Sequence, residues 1–326
     1  MISLRAWDER WPLASAFVIA RGAKTEAHVL VVELGDGDAR GWGESVPYAR
    51  YGETVAAGLA QIESVRSAIE ENVSFEGLQR LLPPGAARNA LDAALWDLEA
   101  KRSGVPAWRR AGLEIVRPVE TAFTLSLDTP ERMAASARAV AWRPLLKLKI
   151  GGADDLDRVA AVRTAAPAAR LIIDANEALS FDDLCRLAPE FARLAVALVE
   201  QPLAVAEDEQ LEGWSSPVPL CADESLHTRA ELGSCVRRYS LVNIKLDKAG
   251  GLTEALAVAS DARALGLDVM VGCMVATSLS MAPALLLAQG AQIVDLDGAL
   301  LLARDRKPGL RSDGSTLHPP EAALWG

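Results

Sequence analysis

Residues 145–152 read Leu-Leu-Lys-Leu-Lys-Ile-Gly-Gly, an apolar run that two lysines interrupt and two glycines end. Such a run is typical of a strand that is covered on both faces. Because side chains alternate along a strand, Lys147 and Lys149 are expected to point the same way. Two unpaired ammonium groups are costly to bury on one face. Either both lysines extend to water at the strand end, or one binds a substrate anion while the other is a base whose pKa its neighbour lowers.

Short apolar segments alternate with amphipathic ones from Pro118 onward, and the quoted stretch is one of them. This alternation is typical of β/α units that build a parallel sheet or a barrel. The predicted strands are residues 119–125, 145–149, 171–174, 196–200, 219–223, 241–245, 269–272 and 293–297. Eight strands in fewer than 190 residues favour a closed β/α barrel over an open doubly wound sheet. No GxGxxG or GxxxxGK[ST] motif supports a nucleotide-binding alternative.

The first part of the chain has a different pattern. A predicted hairpin over residues 28–44 precedes helical spacing from about residue 54 to 110. An antiparallel sheet followed by helices predicts an α+β domain of residues 1–115. The barrel then spans residues 116–304, and the tail of residues 305–326, rich in Gly, Pro and Ser, is expected to run back over the first domain.

Composition narrows the classes of partner. The chain has 326 residues and a formal net charge of -10, which argues against nucleic acid or an anionic membrane as the main partner. No stretch has the length of a membrane span, and the N-terminus lacks the apolar core of a signal peptide. The four cysteines show no CxxC spacing, which favours buried thiols over disulfides or zinc ligands. We therefore expect a cytoplasmic enzyme, and a homo-oligomer stays open.

Five successive predicted strands end in a charged residue: Lys149, Asp174, Glu200, Asp223 and Lys245. In a barrel the carboxyl ends of the strands meet at one mouth, so these side chains are expected to converge. Three carboxylates in one pocket repel each other unless a cation lies between them. Three oxygen ligands without a nearby histidine or cysteine pair favour a hard divalent ion, most simply Mg²⁺. The alternative for each acid alone is a solvated residue at a strand-to-helix turn.

The order of these residues predicts their roles. Lys149 on the second strand and Lys245 on the sixth are expected to face each other across the mouth, with the metal ligands between them. A substrate carboxylate on the metal would place its α-carbon between the two lysines. One lysine can then remove the α-proton while the metal and Lys147 stabilise the enediolate, and the other lysine can return a proton to the opposite face.

The motifs that carry these residues are Lys147-x-Lys149, Asp174-Ala175-Asn176-Glu177, Val199-Glu200-Gln201-Pro202, Ala222-Asp223-Glu224-Ser225 and Asn243-Ile244-Lys245. Together they resemble the muconate-lactonizing subgroup of the enolase superfamily, over essentially the whole chain. The resemblance implies an α/β fold, a modified (β/α)7β TIM-like barrel, with an α+β capping domain. It also implies one Mg²⁺ per subunit on Asp174, Glu200 and Asp223, and an acid/base pair of Lys149 and Lys245.

The eighth predicted strand bears on the choice among the reactions of this subgroup. Asp295-Leu296-Asp297-Gly298 is similar to the DxDG segment of the dipeptide epimerases, in which the two aspartates hold the free α-ammonium of the substrate. Asp295 and Asp297 share one face of a strand and would form an anionic pocket for a cation. The alternative is a solvated turn.

Further segments resemble the L-Ala-D/L-Glu epimerases of proteobacteria, among them those around Asp223, Lys245 and Cys273-Met274. The resemblance implies 1,1-proton transfer at the α-carbon of the C-terminal residue of a dipeptide, as in murein peptide recycling. Cys273 and Met274 are expected to line the substrate site.

Two further contacts with the substrate are predicted from charge and position. An acidic substrate side chain needs a cation in the loops of the first domain. Lys24 is the first candidate for this cation, and Arg21 and Arg50 are the next candidates. Thr124, at the end of the first barrel strand, is expected to touch the substrate, although a plain strand threonine explains it equally well.

Two rival functions remain at this point. One is another reaction on the same scaffold, o-succinylbenzoate synthesis or N-acylamino acid racemisation. The other is a barrel that binds a small ligand without catalysis. The two lysines argue against pure binding, because a bound carboxylate needs only one cation.

Overall fold

The computed structural model describes residues 2–19 and 21–326. The N-terminal part folds as an antiparallel sheet in the order β1-β2-β3, formed by β1 (Ser3–Ile19), β2 (Gly22–Asp36) and β3 (Ala39–Ser45). Its helices are α1 (Val55–Ser64), α2 (Arg66–Glu70), α3 (Phe75–Leu81), α4 (Ala86–Ser103) and α5 (Ala107–Arg110). We call this sheet with its helices the cap.

The close contact between β3 and α4 follows from two glycines. Gly41 and Gly43 lie two residues apart, so both face the helix. A Cβ atom on Gly41 would lie 2.2 Å from the Ala94 carbonyl oxygen, and one on Gly43 would lie 2.0 Å from that of Ala90. The backbone of α4 therefore packs directly on the strand, and only glycine fits at these two positions.

The C-terminal part is an eight-stranded parallel barrel. Its strands are β5 (Phe123–Leu125), β6 (Leu145–Lys149), β7 (Arg170–Asp174), β8 (Val196–Glu200), β9 (Leu220–Ala222), β10 (Leu241–Ile244), β11 (Asp268–Gly272) and β12 (Ile293–Asp295), hydrogen-bonded in that order. The first and last strands meet where Ala122 N donates to Val294 O at 2.8 Å. The confirmed architecture is thus a TIM-like barrel with a cap.

The helices of this part cover the outside of the barrel. They are α6 (Pro130–Ala139), α7 (Leu156–Ala165), α8 (Phe181–Arg193), α9 (Leu232–Arg238), α10 (Leu246–Ala249), α11 (Leu252–Ala264) and α12 (Ser278–Leu287). Short 3-10 turns are Ala49–Tyr51, Asp208–Leu211, Arg229–Glu231, Ala288–Gly290 and Gly298–Leu301. Hydroxyl side chains cap the N-termini of several helices, as Thr129 does at α6 and Ser180 at α8. None of the helices in the described part of the chain has the length and apolarity to cross a membrane.

Layers of side chains fill the barrel interior. The lowest layer takes one buried apolar residue from each strand or its leading end: Ala122, Leu145, Ile172, Leu198, Cys221, Leu241, Met270 and Ile293. Because side chains on one face recur every second residue, the next layer is set by adding two to each number. That layer consists of Thr124, Lys147, Asp174, Glu200, Asp223, Asn243, Gly272 and Asp295. The apolar floor thus lies directly beneath a layer of charged and polar groups.

Three predicted boundaries were wrong by more than one residue. The predicted strand 119–125 is two strands: β4 (Val119–Glu120) leaves the barrel, and only Phe123–Leu125 belongs to it. Lys24 lies in β2 opposite Phe17 rather than in a loop, because the pairing of β1 with β2 continues as far as Ile19 and Gly22. The last barrel strand ends at Asp295, and Asp297 precedes a 3-10 turn.

The C-terminal tail contacts both parts of the molecule. Strands β13 (Ser312–Asp313) and β14 (Thr316–Leu317) form an antiparallel sheet with β4. Beyond it, the Trp325 indole donates to Ala93 O of α4 at 3.0 Å, and Gly326 N donates to Asp97 Oδ1 at 2.7 Å. The tail therefore joins a strand at the start of the barrel to the cap.

Candidate active site

The three predicted metal ligands lie together. Asp174 and Glu200 are paired residues of adjacent strands, and Asp223 directly follows the next strand. One carboxylate oxygen of each lies within 4.8 Å of those of the other two, and all three residues are buried. Oxygen donors at this spacing suit a hard divalent cation.

Lys147 and Lys149 both contact the same carboxylate. Lys149 Nζ lies 2.5 Å from Asp174 Oδ2, and Lys147 Nζ lies 2.9 Å from the same atom. Lys147 also lies 2.7 Å from Glu200 Oε2 and 2.7 Å from Asp295 Oδ2. Lys147 therefore joins the acidic triad to the carboxylate of the eighth strand, and it does not extend to water.

Two lysines hold Asp223, one of which the sequence analysis missed. Lys245 Nζ lies 2.6 Å from Asp223 Oδ2, as expected for a residue at the opposite side of the mouth from Lys149. Lys248 Nζ lies 2.5 Å from Asp223 Oδ1 and also donates to the Asp223 carbonyl oxygen. The sequence pattern did not indicate Lys248, because it lies in the short helix α10 after the strand rather than in the strand itself.

The pKa values of the three acids are shifted in different directions. Burial raises the pKa of Glu200 to about 7, and the neighbouring Asp174 carboxylate adds to the effect. Burial also opposes the charge of Asp223, but Lys245 and Lys248 outweigh it and hold its pKa well below the usual range. The pKa of Asp174 is lowered in the same way by Lys147 and Lys149. Glu200 is thus the carboxylate of the triad whose charge the neighbouring lysines stabilise least, and an added cation beside it would lower its pKa.

The lysine ammonium groups respond in the opposite sense. Burial alone would lower the pKa of Lys147, but Asp174, Asp295 and Glu200 raise it well above the usual range. Burial likewise opposes the charge on Lys245, and Asp223 and Glu200 outweigh it to raise its pKa. A cation that pairs with these carboxylates would weaken this effect and lower the pKa of both lysines, so that a larger fraction of each is neutral and able to accept a proton.

The two aspartates of the eighth strand face the same space. Asp295 Oδ2 accepts the hydrogen bond from Lys147, while its buried Oδ1 has no hydrogen-bond partner among the described residues. Asp297 Oδ2 accepts from Thr124 N at 2.6 Å. Burial raises the pKa of Asp297 to about 7, and the charge of Asp295 adds to it. A cationic group is therefore the natural partner for this pair.

One cavity of about 1060 Å³ between the barrel mouth and the cap brings the predicted residues together. Its lining includes Lys24, Thr124, Lys147, Lys149, Asp223, Lys245, Cys273, Met274, Asp295 and Asp297. Asp174 and Glu200 lie just beneath it, in contact with Lys147. A small molecule in this cavity would meet the lysines of the barrel mouth, Asp223 of the acidic triad and the pair of Asp295 and Asp297.

The three candidate cations of the cap differ in what they contact. Arg21 lies 2.7 Å from Glu224 Oε1 and 3.2 Å from Glu177 Oε2, and Arg50 pairs with Glu177 at 2.8 Å. The Lys24 ammonium lies 4.9 Å from the centre of the Tyr48 ring and forms no ion pair with any described residue. Lys24 is thus the cation that remains available to a ligand.

Two amides complete the site and were not predicted. Asn243 Nδ2 donates to Glu200 Oε1 at 2.7 Å, and the absence of a side chain at Gly272 gives this amide its space, since a Cβ there would lie 2.6 Å from Asn243 Oδ1. Asn176 Oδ1 accepts from Lys149 Nζ at 3.1 Å. Asn243 lies two residues after the floor residue Leu241, so strand alternation alone could have placed it in the site.

Known proteins share this architecture. Residues 1–112 match the family model for the mandelate racemase / muconate lactonizing enzyme, N-terminal domain, and residues 131–320 match the enolase C-terminal domain-like model. The chain is 46% identical over 320 residues to the L-Ala-D/L-Glu epimerase of Escherichia coli (strain K12), which covers 98% of this chain and 100% of that protein. It is 45% identical over 300 residues to an N-acetyl-D-glutamate racemase of Pseudoalteromonas sp, with 91% and 95% covered.

A solved structure is similar over the whole length. It is an enolase family member from Agrobacterium tumefaciens with homology to dipeptide epimerases, and it holds bound sodium and L-Ala-L-Glu. The two structures superpose with a TM-score of 0.99 at 48% identity, and each chain is covered to 100%. With its two matching domain models and its acidic triad between two lysines, this chain belongs to the mandelate racemase / muconate lactonizing enzyme family of the enolase superfamily.

Proposed function

We propose that this chain is a Mg²⁺-dependent dipeptide epimerase. It carries out 1,1-proton transfer at the α-carbon of the C-terminal residue, with L-Ala-D/L-Glu as its substrate. The observation that carries the proposal is the buried Asp295 and Asp297 pair, which lines the same cavity as both lysines. A dipeptide supplies an α-ammonium for the pair and an acidic α-proton for the lysines.

Asp174, Glu200 and Asp223 would hold the metal. Their three oxygens fit a divalent ion by charge, by donor type and by mutual distance. When bound, Mg²⁺ would polarise the carboxylate of the substrate, which makes the neighbouring α-proton more acidic. Lys147, in contact with two of these carboxylates, adds a fixed positive charge beside the same group.

Lys149 and Lys245 transfer the proton. They extend from the second and sixth positions of an eight-stranded barrel, so they approach the α-carbon from opposite faces. One neutral lysine removes the α-proton, and the opposite ammonium donates a proton to the other face, which inverts the centre. In the reverse direction the two lysines exchange these roles.

The substrate's two ends would be bound by different elements. Asp295 Oδ1 lacks a partner among the described residues and is buried, so it would accept a hydrogen bond from the α-ammonium. Asp297 provides a second negative group beside it, held by Thr124 N. Lys24 would bind the side-chain carboxylate of glutamate as a single charge.

A second candidate is racemisation of an N-acylated glutamate. The relative from Pseudoalteromonas, named an N-acetyl-D-glutamate racemase, favours it at 45% identity. The same lysines and the same Lys24 would serve both substrates. The N-acetyl group has no positive charge, however, and would leave the unpartnered oxygen of Asp295 unpaired.

One comparison separates the two candidates. The rates of the purified enzyme with Mg²⁺ are measured on L-Ala-L-Glu and on N-acetyl-L-glutamate, and then repeated with Asp295→Asn. We expect the wild type to prefer the dipeptide and the variant to lose at least about tenfold more of its kcat/KM on the dipeptide than on the acylated amino acid. A wild type that prefers N-acetyl-L-glutamate would favour the racemase.

The compartment of this reaction and the domain boundaries are also proposals. We propose that the enzyme works in the cytoplasm on peptides released from murein, which the dipeptide substrate supports. We further propose that residues 1–115 with the tail of residues 305–326 form the capping domain and that residues 116–304 form the catalytic barrel. The contacts of Trp325 and Gly326 with α4 support this assignment of the tail.

A further inference from the structure

Five residues form one hydrogen-bonded network where the cap meets the barrel, and all but Glu177 line the cavity: Arg21, Arg50, Asn176, Glu177 and Glu224. We call them the mouth network. Arg21 donates to Glu224 Oε1 at 2.7 Å and to the Asn176 carbonyl oxygen at 2.8 Å. Arg50 donates to both oxygens of Glu177, at 2.8 Å each. The side chain of Glu224 is only 2% exposed, so losing Arg21 would leave a buried carboxylate without its cation.

The Asn176 amide joins this network to a catalytic lysine. Its Nδ2 donates to Glu224 Oε1 at 3.3 Å, and its Oδ1 accepts from Lys149 Nζ at 3.1 Å. A carboxylate can only accept and an ammonium can only donate, so these two partners fix the orientation of the amide. The other hydrogen-bond acceptor of Lys149 is Asp174, which is a proposed metal ligand. Asn176 is therefore the neutral acceptor that can orient Lys149 without its side chain also holding the metal.

The backbone at this point is strained. Asn176 has a φ of 43° and Glu177 a φ of 70°, the left-handed region that side chains other than glycine rarely adopt. Asn176 N donates to Asp174 Oδ1 at 3.0 Å, and Glu177 N donates to Gln201 O at 2.9 Å. Such strain persists where surrounding contacts determine the conformation, and it often marks a functional position.

We propose that Asn176 is a positioning residue for Lys149, and that Glu224 and the cap residue Arg21 orient it. The contact of Arg21 with the barrel thereby sets the geometry of one acid/base group, since the Asn176 amide bonds to Lys149 while Lys245 donates to Asp223. The inference rests on the proposed function, because it takes Lys149 to be one of two proton-transfer groups.

The two-lysine arrangement gives the inference a specific signature. Each lysine removes the α-proton of one epimer only, because it faces one side of the α-carbon. A defect confined to Lys149 must therefore slow α-proton exchange from one epimer and spare exchange from the other. A general loss of structure or of substrate binding would slow both.

The test measures loss of the α-proton signal from L-Ala-L-Glu and from L-Ala-D-Glu separately, by proton NMR in D₂O with Mg²⁺. Lys149→Ala first identifies the epimer that depends on Lys149. Asn176→Gly suits the left-handed backbone and removes only the amide. We expect it to slow exchange from that same epimer by up to about 100-fold and to leave the other within about threefold of wild type.

Variants of the partner residues sharpen the result. Glu224→Ala should slow exchange from the same epimer to a smaller degree. Glu224→Gln keeps an oxygen acceptor for the amide and should therefore retain most of the wild-type exchange rate. Glu177→Gln is the matched control, since it weakens the mouth network without touching the Asn176 amide, and it should affect both epimers equally.

Equal slowing of both epimers by Asn176→Gly, slowing of the opposite epimer, or no slowing would each overturn the inference. Failure of the proposed function looks different. A wild type that exchanges N-acetylglutamate but no dipeptide contradicts that function, and the asymmetry is then measured on the two enantiomers of N-acetylglutamate. A wild type that exchanges neither compound overturns both.

Discussion

At the scale of single residues, the site is a set of buried charges that balance one another. Lys147 contacts three carboxylates, and two lysines share Asp223 between them. Burying any one of these charges alone would be costly. Since every group depends on its neighbours, removing one of them should alter the binding of a ligand by the others.

Removing one carboxylate of the triad should weaken metal binding. Glu200→Gln replaces a charged ligand by a neutral amide of the same shape. We expect the affinity for Mg²⁺ to fall at least about tenfold, or about 1.4 kcal/mol, in isothermal titration calorimetry. Glu177→Gln removes a carboxylate from the rim outside the triad and should leave the affinity within about twofold. Equal weakening by the two variants would refute the triad as the metal site.

Lys24 should determine the preference for an acidic side chain. Lys24→Ala removes the cation that is free of ion pairs among the described residues of the cavity lining. We expect kcat/KM for L-Ala-L-Glu to fall about 10- to 100-fold relative to L-Ala-L-Gln, because a hydrogen bond to a charged group is lost. Lys24→Arg keeps the charge and should retain most of the preference. An equal fall for both dipeptides would exclude this role.

The sequence was informative where a residue's position along a strand determined its direction. The charged ends of successive strands predicted the cluster of Lys149, Asp174, Glu200, Asp223 and Lys245, because parallel strands bring their ends together. Lys248 and Asn176 escaped prediction, since Lys248 lies in the short helix α10 and Asn176 in a turn after a strand, where the alternation of a strand no longer sets the side-chain direction.

At the scale of elements, the alternation of side chains along the barrel strands places an apolar layer beneath the polar layer of the active site. Each strand contributes an apolar residue to the lowest layer, and in seven of the eight strands the residue two positions later is polar, Gly272 being the exception. Where strands are short or irregular, sequence patterns failed. The run of residues 119–125 is apolar enough for one strand, but it turns between Glu120 and Phe123 so that its first part pairs with the tail.

The glycine contact between β3 and α4 should be essential to the cap. Gly43→Ala would place a Cβ atom 2.0 Å from the Ala90 carbonyl oxygen, which is backbone and moves only with the helix. We expect a loss of about 3 kcal/mol or more in stability, seen as a lower melting temperature. Gly233→Ala, in the exposed part of α9 with nothing within 4 Å, should leave the melting temperature unchanged or raise it slightly. Similar losses in both variants would contradict the packing argument.

At the scale of the whole molecule, buried carboxylates join the cap to the barrel. Glu44 of β3 accepts from Thr277 N at 2.7 Å and pairs with Arg306 at 2.6 Å. Asp247, just after Lys245, accepts from Val46 N at 2.8 Å and from Asn89 Nδ2 at 3.1 Å. These contacts lie beside the cavity, so the cap and the catalytic strands are held in one arrangement.

Stability should depend on pH through Asp247. Burial, with Glu53 and Glu44 adding to it, raises the pKa of Asp247 from 3.8 to about 7. The folded protein then binds more protons than the unfolded chain between about pH 4 and 7, so this group's contribution to stability is present in acid and lost as the pH rises to 7.

Asp247→Asn cannot ionise, and its amide can donate to the buried Asn89 Oδ1, which has no partner among the described residues. The melting temperature of the variant relative to wild type should therefore increase from pH 5 to pH 8. The corresponding gain in stability is on the order of 3 kcal/mol. A difference that stays constant or shrinks over this range would show that Asp247 is ionised in the folded protein at all these pH values.

The most direct test of the central claim is proton NMR of L-Ala-L-Glu with the enzyme and Mg²⁺ in D₂O. We predict that the α-proton signal of glutamate disappears while signals of the L-Ala-D-Glu diastereomer grow, and that Lys245→Ala prevents formation of the second diastereomer. If neither L-Ala-L-Glu nor dipeptides with other C-terminal residues exchange their α-proton, the assignment of this chain as a dipeptide epimerase is contradicted.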